Sequence, residues 1–421
     1  MSIIYYVDPL AFLEFRGGAE VNIKRVYEHL KNKDNIILLP TISSLIENKE
    51  KIIENIDKIK KLNIPDFTEK IIENKEINYK DLFEKYIEYL KNEDSQIIFD
   101  QYFYVRRKIS KIKLVKYLIY NGCNEEFCFE SFYLSKKSNK KLVTLFQTVS
   151  RQLSSSLNYI YHAIKYGLDE KIWGLENPIY YRYILKIGKL LKEENYKYFL
   201  AVSYGTVESL GIKGEKVKVL KYGNAFDKKL FNYRTKNKED YIVFYARLYG
   251  RKGLYDIPYI MRELKKYDKN IKLKIFGKFA SEKHKDSFFN LVKKFNLEDN
   301  IEYLGFLSEE EKYKVVSKAR VLLYPTHHDE FSLVILESLA LGTPVVSYNI
   351  PGPYYVYKDL PSVKFVKEFD IKSLAKEVYN ILNMDDNEYF ELIYNEKTDK
   401  FLEEHSSWEK VAEEIYYYLK N

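Results

Sequence analysis

The residues best suited to chemistry lie within the stretch from Val321 to Gly352, VLLYPTHHDEFSLVILESLALGTPVVSYNIPG, where Asp329 and Glu337 have seven residues between them. The apolar run Val321-Leu322-Leu323-Tyr324, closed by Pro325, fits a strand buried on both faces of a parallel sheet. Phe331 to Leu341 reads as a helix, ended by Gly342, where a left-handed residue is favoured, and by Pro344 before Val345-Val346 opens the next strand. Asp329 then precedes the first turn, and Glu337 falls about two turns in. A polar loop feeding a helix start suits an anion, because the first-turn amides are unpaired and the dipole is positive there. The amides around Ser332, Leu333 and Val334 are the expected phosphate donors, and Glu337 is placed to bind both hydroxyls of a ribose.

Two other segments belong to the same chemistry. In YIVFYARLYGRKGL, Arg247 and Lys252 follow a strand end in a glycine-containing loop. A planar guanidinium and a mobile ammonium suit a diphosphate whose charge grows as it leaves. In LKIFGKFA, Gly277 ends a strand and leaves room for a base or a ribose against the backbone. Converging these segments requires a parallel sheet, and the second half supplies its pattern. Strands are expected at Tyr241–Tyr245, Lys272–Phe276, Ile301–Leu304, Val321–Tyr324 and Val345–Tyr348, with helical crossovers between them.

The first half is less regular. Ile3 to Asp8 reads as a strand, and Gly17-Gly18 precede an amphipathic helix, where the backbone could approach a phosphate or sugar without a Cβ in the way. Asn35–Leu39 is a second strand, followed by helices to about Lys91. Gln96–Phe99, ending at Asp100, and Val115–Tyr120, ending at Asn121, read as strands whose polar C-terminal ends are where open α/β sheets keep ligands. Leu142 to Leu191 reads as mostly helical, and Tyr198–Ser203 and Val217–Leu220 as strands. The expected domains are residues 1–235 and 236–400, with 401–421 as a C-terminal helix whose stripe Trp408, Val411, Ile415 and Leu419 could tie it to the first domain.

The chain of 421 residues, 46% hydrophobic and 31% charged, exceeds what one core usually serves and favours two soluble domains. No apolar run reaches membrane-spanning length, and the start lacks signal-peptide character, so a cytoplasmic location is expected. Residues 1–240 carry 42 basic and 32 acidic side chains, against 27 and 29 in the remainder, so the excess of base belongs to the first half. Residues 101–120 hold Arg106, Arg107, Lys108, Lys111, Lys113 and Lys116 without an acid. Such a segment can meet anionic lipid, giving a peripheral membrane contact at the inner face, or a nucleic-acid backbone, or it is a solvated helix face. Cys123 and Cys128 lack zinc-ligand spacing. His327-His328-Asp329 lacks a third ligand, so no metal site and no cofactor are expected.

In these motifs the chain resembles retaining glycosyltransferases of GT-B architecture, family 4, also called glycosyl transferases group 1. The resemblance rests on Asp329-x7-Glu337 followed by Ser338-Leu339-Ala340-Leu341-Gly342-Thr343-Pro344-Val345, and on Arg247, Lys252-Gly253, Gly305-Phe306 and Ser407-Trp408-Glu409-Lys410-Val411 in the same order. It implies an α/β fold of two Rossmann-like domains facing a central cleft, the first on the acceptor side and the second on the donor side. It implies that Arg247 and Lys252 hold the donor diphosphate, Glu337 the ribose and Asp329 the donor sugar, with Gly17 and Gly18 approaching from the opposite domain. The family usually has Glu where this chain has Asp329, which brings adjacent Glu330 into consideration, and Gly where it has Ser332. A first-domain His that touches the donor sugar in many relatives has no counterpart at Tyr120-Asn121-Gly122; Asp100, Asn121 and His162 are the substitutes considered.

The function implied is transfer of a sugar from a nucleotide-diphosphate donor, UDP- or GDP-linked, to a glycan, lipid-linked sugar or protein glycan. Front-face attack would retain the anomeric configuration without a protein nucleophile or a metal, and domain closure would exclude water. The alternatives are a DNA-modifying glycosyltransferase, a nucleotide-sugar epimerase of the same fold, or a nucleotide-sugar-binding protein without turnover.

Overall fold

A computed structural model gives the fold, with residues 2–13, 17–73, 79–101, 130–147 and 187–421 described. Two compact units emerge. One contains the first six strands, residues through Gly223 and the terminal segment Trp408–Asn421; the other contains Asn224–Ser407.

The first unit is built on β1 (Ser2–Val7), β2 (Asn35–Pro40), β3 (Ile97–Asp100), β4 (Lys141–Phe146), β5 (Tyr196–Ala201) and β6 (Val217–Val219). Every pairing is parallel, in the order β2-β1-β3-β4-β5-β6. β1 is buried along its whole length, as a central strand covered on both faces must be. Lys141–Phe146 is a strand, where the sequence reading had helix. In KLVTLF, Leu142, Val143, Leu145 and Phe146 are all buried, so it is a doubly covered strand whose short apolar run resembles a buried helical segment. The expected strand at 115–120, the basic stretch after Gln101, Asn121, both cysteines and His162 lie outside the described residues.

The helix Trp408–Lys420 belongs to this unit. Trp408, Val411, Ala412, Ile415 and Leu419 are buried, and Glu414 accepts the backbone N–H groups of Lys221 and Tyr222 at 2.7 and 2.8 Å. The chain passes to the second unit at Gly223–Asn224, ahead of the expected position at 235. Ala225, Phe226 and Leu230 are buried, and Phe226 N–H bonds His405 O at 3.0 Å.

The second unit carries β7 (Glu239–Tyr245), β8 (Leu273–Phe276), β9 (Ile301–Tyr303), β10 (Ala319–Tyr324), β11 (Val345–Asn349) and β12 (Val363–Lys367). Its order is β12-β11-β10-β7-β8-β9, again all parallel. This is the doubly wound dinucleotide-type order, with its reversal between β7 and β10. All six residues of β10 are buried. β12 had no place among the expected strands. Ser308 and Glu311 form a capping box that starts the helix Glu309–Lys318, which leads into β10.

Candidate functional site

The reversal between β7 and β10 is where open α/β sheets bind ligands, outside the C-terminal ends of the strands. The loop after β7 carries Arg247 and Lys252, and the loop after β10 carries Pro325 to Ser332. Gly253, at φ 80°, closes the turn Gly250–Lys252; a Cβ there would lie 2.1 Å from Pro325 O, so the loops pack backbone on backbone. His327 N–H donates to Arg251 O at 2.8 Å.

Lys252 Nζ donates to Asp329 Oδ2 at 2.8 Å and to His328 O at 3.0 Å. Tyr324 O–H donates to the same carboxylate oxygen at 2.8 Å. Burial works to neutralise Lys252, but the Asp329 carboxylate outweighs it and holds the ammonium well above its ordinary range. Burial likewise pushes Asp329 up; Lys252 then outweighs that and leaves the carboxyl below its ordinary value. The pair is a fixed charge couple at the mouth of the loop, each side chain 18% exposed. Adjacent Glu330 is more deeply buried, and its N–H donates to Asp329 Oδ1 at 3.2 Å. Gly352 lies behind the loop. A Cβ there would come within 2.2 Å of Asp329 O, so the course of Asp329-Glu330 depends on a missing side chain.

The helix after the loop runs Leu333–Ala340, starting two residues later than the expected Phe331. Ser332 takes a left-handed conformation, φ 65° and ψ 84°, and its hydroxyl accepts from Ile335 N–H at 3.4 Å. The chain turns there, and Phe331 stays buried against Tyr357 outside the helix. The left-handed backbone accounts for a preference for glycine at this position. The first-turn amides of Leu333 and Val334 have no acceptor among the described residues, as expected at a helix start. Glu337 projects from the same helix, and its Oε2 pairs with Lys312 Nζ at 2.9 Å, with the two side chains 23% and 20% exposed. Tyr245, ending β7, stacks on Phe276 at 5.1 Å and donates to Val334 O at 2.9 Å, fixing the helix start to the sheet edge.

The structure therefore brings Lys252, Asp329, Glu330, Ser332, Leu333, Val334 and Glu337 onto one loop-and-helix system. Arg247 lies on the same β7 loop, exposed, its guanidinium 5.8 Å from the Tyr249 ring. Gly277 ends β8 with φ 131°, and a Cβ would meet Ala246 O at 2.0 Å, so backbone packing demands glycine there; its N–H and C=O already bond Gly305 O and the Tyr303 hydroxyl. In the first unit, Gly17 and Gly18 are exposed at the start of the helix Gly18–Leu30; Gly17 is extended, with no close contact awaiting a Cβ. Asp100 is buried at the end of β3 and accepts from the Ser131 hydroxyl.

Sequence reasoning missed two participants. Lys312 is the partner of Glu337, and Tyr324 shares Asp329 with Lys252. The two histidines part company: His328 is half-buried, while His327 turns inward and places its ring nitrogens on Asp256 and Glu368.

Residues 225–399 match the family described as glycosyl transferases group 1. The match spans 175 of the 421 residues. It coincides with almost all of the second unit and contains every member of the loop-and-helix system just described. Over 246 residues, 55% of its length, the chain is 28% identical to an uncharacterized glycosyltransferase of Methanocaldococcus jannaschii, 58% of which is covered. It is 26% identical over 260 residues to the O-antigen chain mannosyltransferase RfbU of Salmonella typhimurium, covering 60% of this chain and 68% of that protein. The chain thus spans under two thirds of the first of these relatives. Similar solved structures include Anabaena HepE in complex with UDP and glucose, at TM-score 0.65 and 14% identity over 99% of both chains. Sucrose-phosphate synthase of Thermosynechococcus elongatus has TM-score 0.64 and 13% identity, covering 100% of this chain and 98% of that one. At these identities the likeness gives the fold, two units each built on a six-stranded parallel sheet, as in glycosyltransferases of GT-B architecture. Among the described residues no helix is long and apolar enough to cross a membrane.

Proposed function

We propose that the protein is a retaining glycosyltransferase that moves a sugar from a nucleoside-diphosphate donor to a glycan, lipid-linked sugar or protein glycan. The observation that carries this reading is the pair of lysine-carboxylate couples, Lys252–Asp329 in the loop before one short helix and Lys312–Glu337 midway along it, in a group 1 domain. At the first, an ammonium held charged beside unpaired helix-start amides suits a diphosphate. At the second, Glu337 Oε1 has no partner among the described residues and can accept a ribose hydroxyl while Lys312 retains Oε2.

In this reading Arg247 and Lys252 neutralise the diphosphate as the bond from the anomeric carbon to phosphate oxygen breaks. The acceptor oxygen attacks the same face, and its proton passes to the departing phosphate oxygen, so no protein nucleophile is needed. The two cations take the part a metal plays elsewhere, and Asp329 orients Lys252 and meets the sugar hydroxyls, with Glu330 behind it. Gly17 and Gly18 are exposed, and at Gly17 the fold does not demand glycine, which supports a close approach of ligand to that backbone. The mannosyltransferase relative, named for an O-antigen chain, supports a glycan acceptor.

The test is a panel of nucleotide sugars, following release of nucleoside diphosphate with and without a chelator. Release from one donor that survives chelation and falls on Arg247→Ala, Lys252→Ala and Glu337→Ala is expected. Unchanged nucleotide affinity in all three variants would overturn the donor site, and chelator-sensitive release would overturn the role given to the two cations.

A further inference from the structure

Behind the Lys252–Asp329 pair lies a buried ion cluster that the donor contacts do not use. His327 is 2% exposed, with Nε2 2.5 Å from Asp256 Oδ2 and Nδ1 2.7 Å from Glu368 Oε1. An ionised carboxylate can only accept, so with both partners ionised both ring nitrogens donate and the ring is an imidazolium. Three elements meet on it. Asp256 opens the helix Asp256–Leu264, three residues beyond Gly253; Glu368 follows β12; and His327 lies in the β10 loop. Phe369 stacks on the ring at 4.5 Å, and Tyr348 of β11 lies at 5.2 Å. The other oxygen of Asp256, Oδ1, is buried without a hydrogen-bond donor, so this carboxylate depends on His327 and on the positive end of its own helix.

The cluster is joined to the donor loop by short links. The His327 N–H and the Thr326 hydroxyl both bond Arg251 O, at 2.8 and 3.3 Å, one residue before Lys252. The carbonyl of His328 holds Lys252 Nζ at 3.0 Å, and Asp329 is next in the chain. A displaced His327 therefore moves both acceptors of the Lys252 ammonium.

We propose that His327, clamped between Asp256 and Glu368, is a positioning residue that sets the Lys252–Asp329 pair for a nucleoside diphosphate and makes that binding depend on pH. The inference rests on the donor-site reading above. Burial opposes the charge on the ring, but Asp256 and then Glu368 outweigh it and raise the imidazole to about 9. The titratable groups facing it are Asp256 from the helix, Glu368 from the segment after β12, and Tyr348 from β11, with His328 and Asp329 in its own loop and Lys252 in the β7 loop. Lys252, held upward by Asp329, keeps its charge through this range. As pH rises past 9, the buried Asp256 and the half-buried Glu368 lose a shared cation, and the loop loses its clamp.

The experiment is calorimetric titration of the full chain with UDP and GDP between pH 7 and 10, for the wild type, His327→Gln and Glu368→Gln. Wild-type affinity should fall on the order of tenfold across the range, a size typical of perturbing a connected network. His327→Gln should bind weakly by a similar factor at every pH, without the step, and Glu368→Gln should move the step toward neutral pH. If His327 only supports the fold, His327→Gln will melt earlier yet bind with wild-type affinity and profile, and the proposal fails. It fails equally if the step persists in His327→Gln. A wild type that binds neither nucleotide at any pH overturns the donor-site reading itself; one that binds without a step overturns only the positioning role.

Discussion

Replacing Ser332 with glycine should stabilise the second unit, and replacing it with alanine should not. Ser332 sits at φ 65° and ψ 84°, where a side chain crowds its own carbonyl. Holding an L-residue in the left-handed region costs roughly 1–2 kcal/mol. Glycine removes that strain but gives back about 0.4–1 kcal/mol through its freer unfolded chain. It also loses the Ser332 hydroxyl that caps Ile335 N–H, a change worth only a few tenths of a kcal/mol for Ser to Gly. The net gain is about 0.5 kcal/mol.

Alanine keeps the strain and loses the cap, and should lower stability by about 1 kcal/mol. For a unit of this size each kcal/mol moves Tm by roughly 2–4 °C. Scanning calorimetry of the full chain should therefore place Ser332→Gly about 1–2 °C above the wild type and Ser332→Ala about 2–4 °C below it. The order of the two variants is the decisive result. If alanine melts at or above glycine, the left-handed backbone is not the constraint at this position, and the structural account of a glycine preference there fails. Nucleotide affinity should stay near wild type in Ser332→Gly, because the Leu333 and Val334 amides keep their places.

Other changes test neighbouring contacts. Gly352→Ala drives a Cβ to 2.2 Å from Asp329 O, so it should destabilise the second unit and weaken nucleotide binding together; a variant that melts earlier but binds normally would show that the loop shifts without disturbing Asp329. Glu337→Gln keeps the shape but loses the charge paired with Lys312, and should weaken ribose-containing ligands more than inorganic pyrophosphate in competition binding. Equal loss for both would remove Glu337 from the ribose. For His327 the folded-state value, about 9, lies above the ordinary 6.5, so its contribution is complete below about pH 6.5 and disappears as pH passes 9. The stability difference between wild type and His327→Gln in urea should accordingly shrink by about 3 kcal/mol over that window. A difference that stays constant with pH would mean the ring is not charged in the folded state.

What the sequence revealed depended on how locally each feature is determined. β10 and β11 were readable because a strand covered on both faces must be apolar along its length. Lys141–Phe146 is covered in the same way, yet its run is too short to show a period, and the long helical reading that followed absorbed it. β12 failed for the opposite reason. As the edge strand of its sheet it places Lys364 and Lys367 among its apolar residues, so the pattern of a buried strand is diluted by the positive charges that discourage edge-to-edge pairing.

The site divides along the same line. Asp329 and Glu337 could be found because they lie on one short stretch of chain, the β10 loop and the helix that follows it, so their separation is a local property. Lys252 could be found through its glycine-containing loop, but its pairing with Asp329 could not, and Lys312, which reaches Glu337 from another crossover, looked like any of the chain's many lysines. His327 shows the limit most clearly. Beside His328 it is chemically identical on paper, and only the packing of the β10 loop against Arg251, Asp256 and Glu368 decides which ring becomes a buried cation and which stays near the surface. Spacing can therefore locate a pair of acids, but the charge each acid carries into binding is set by residues distant in sequence. Substitutions at Lys312, Asp256 and Glu368 should accordingly alter the site as much as substitutions within the motif.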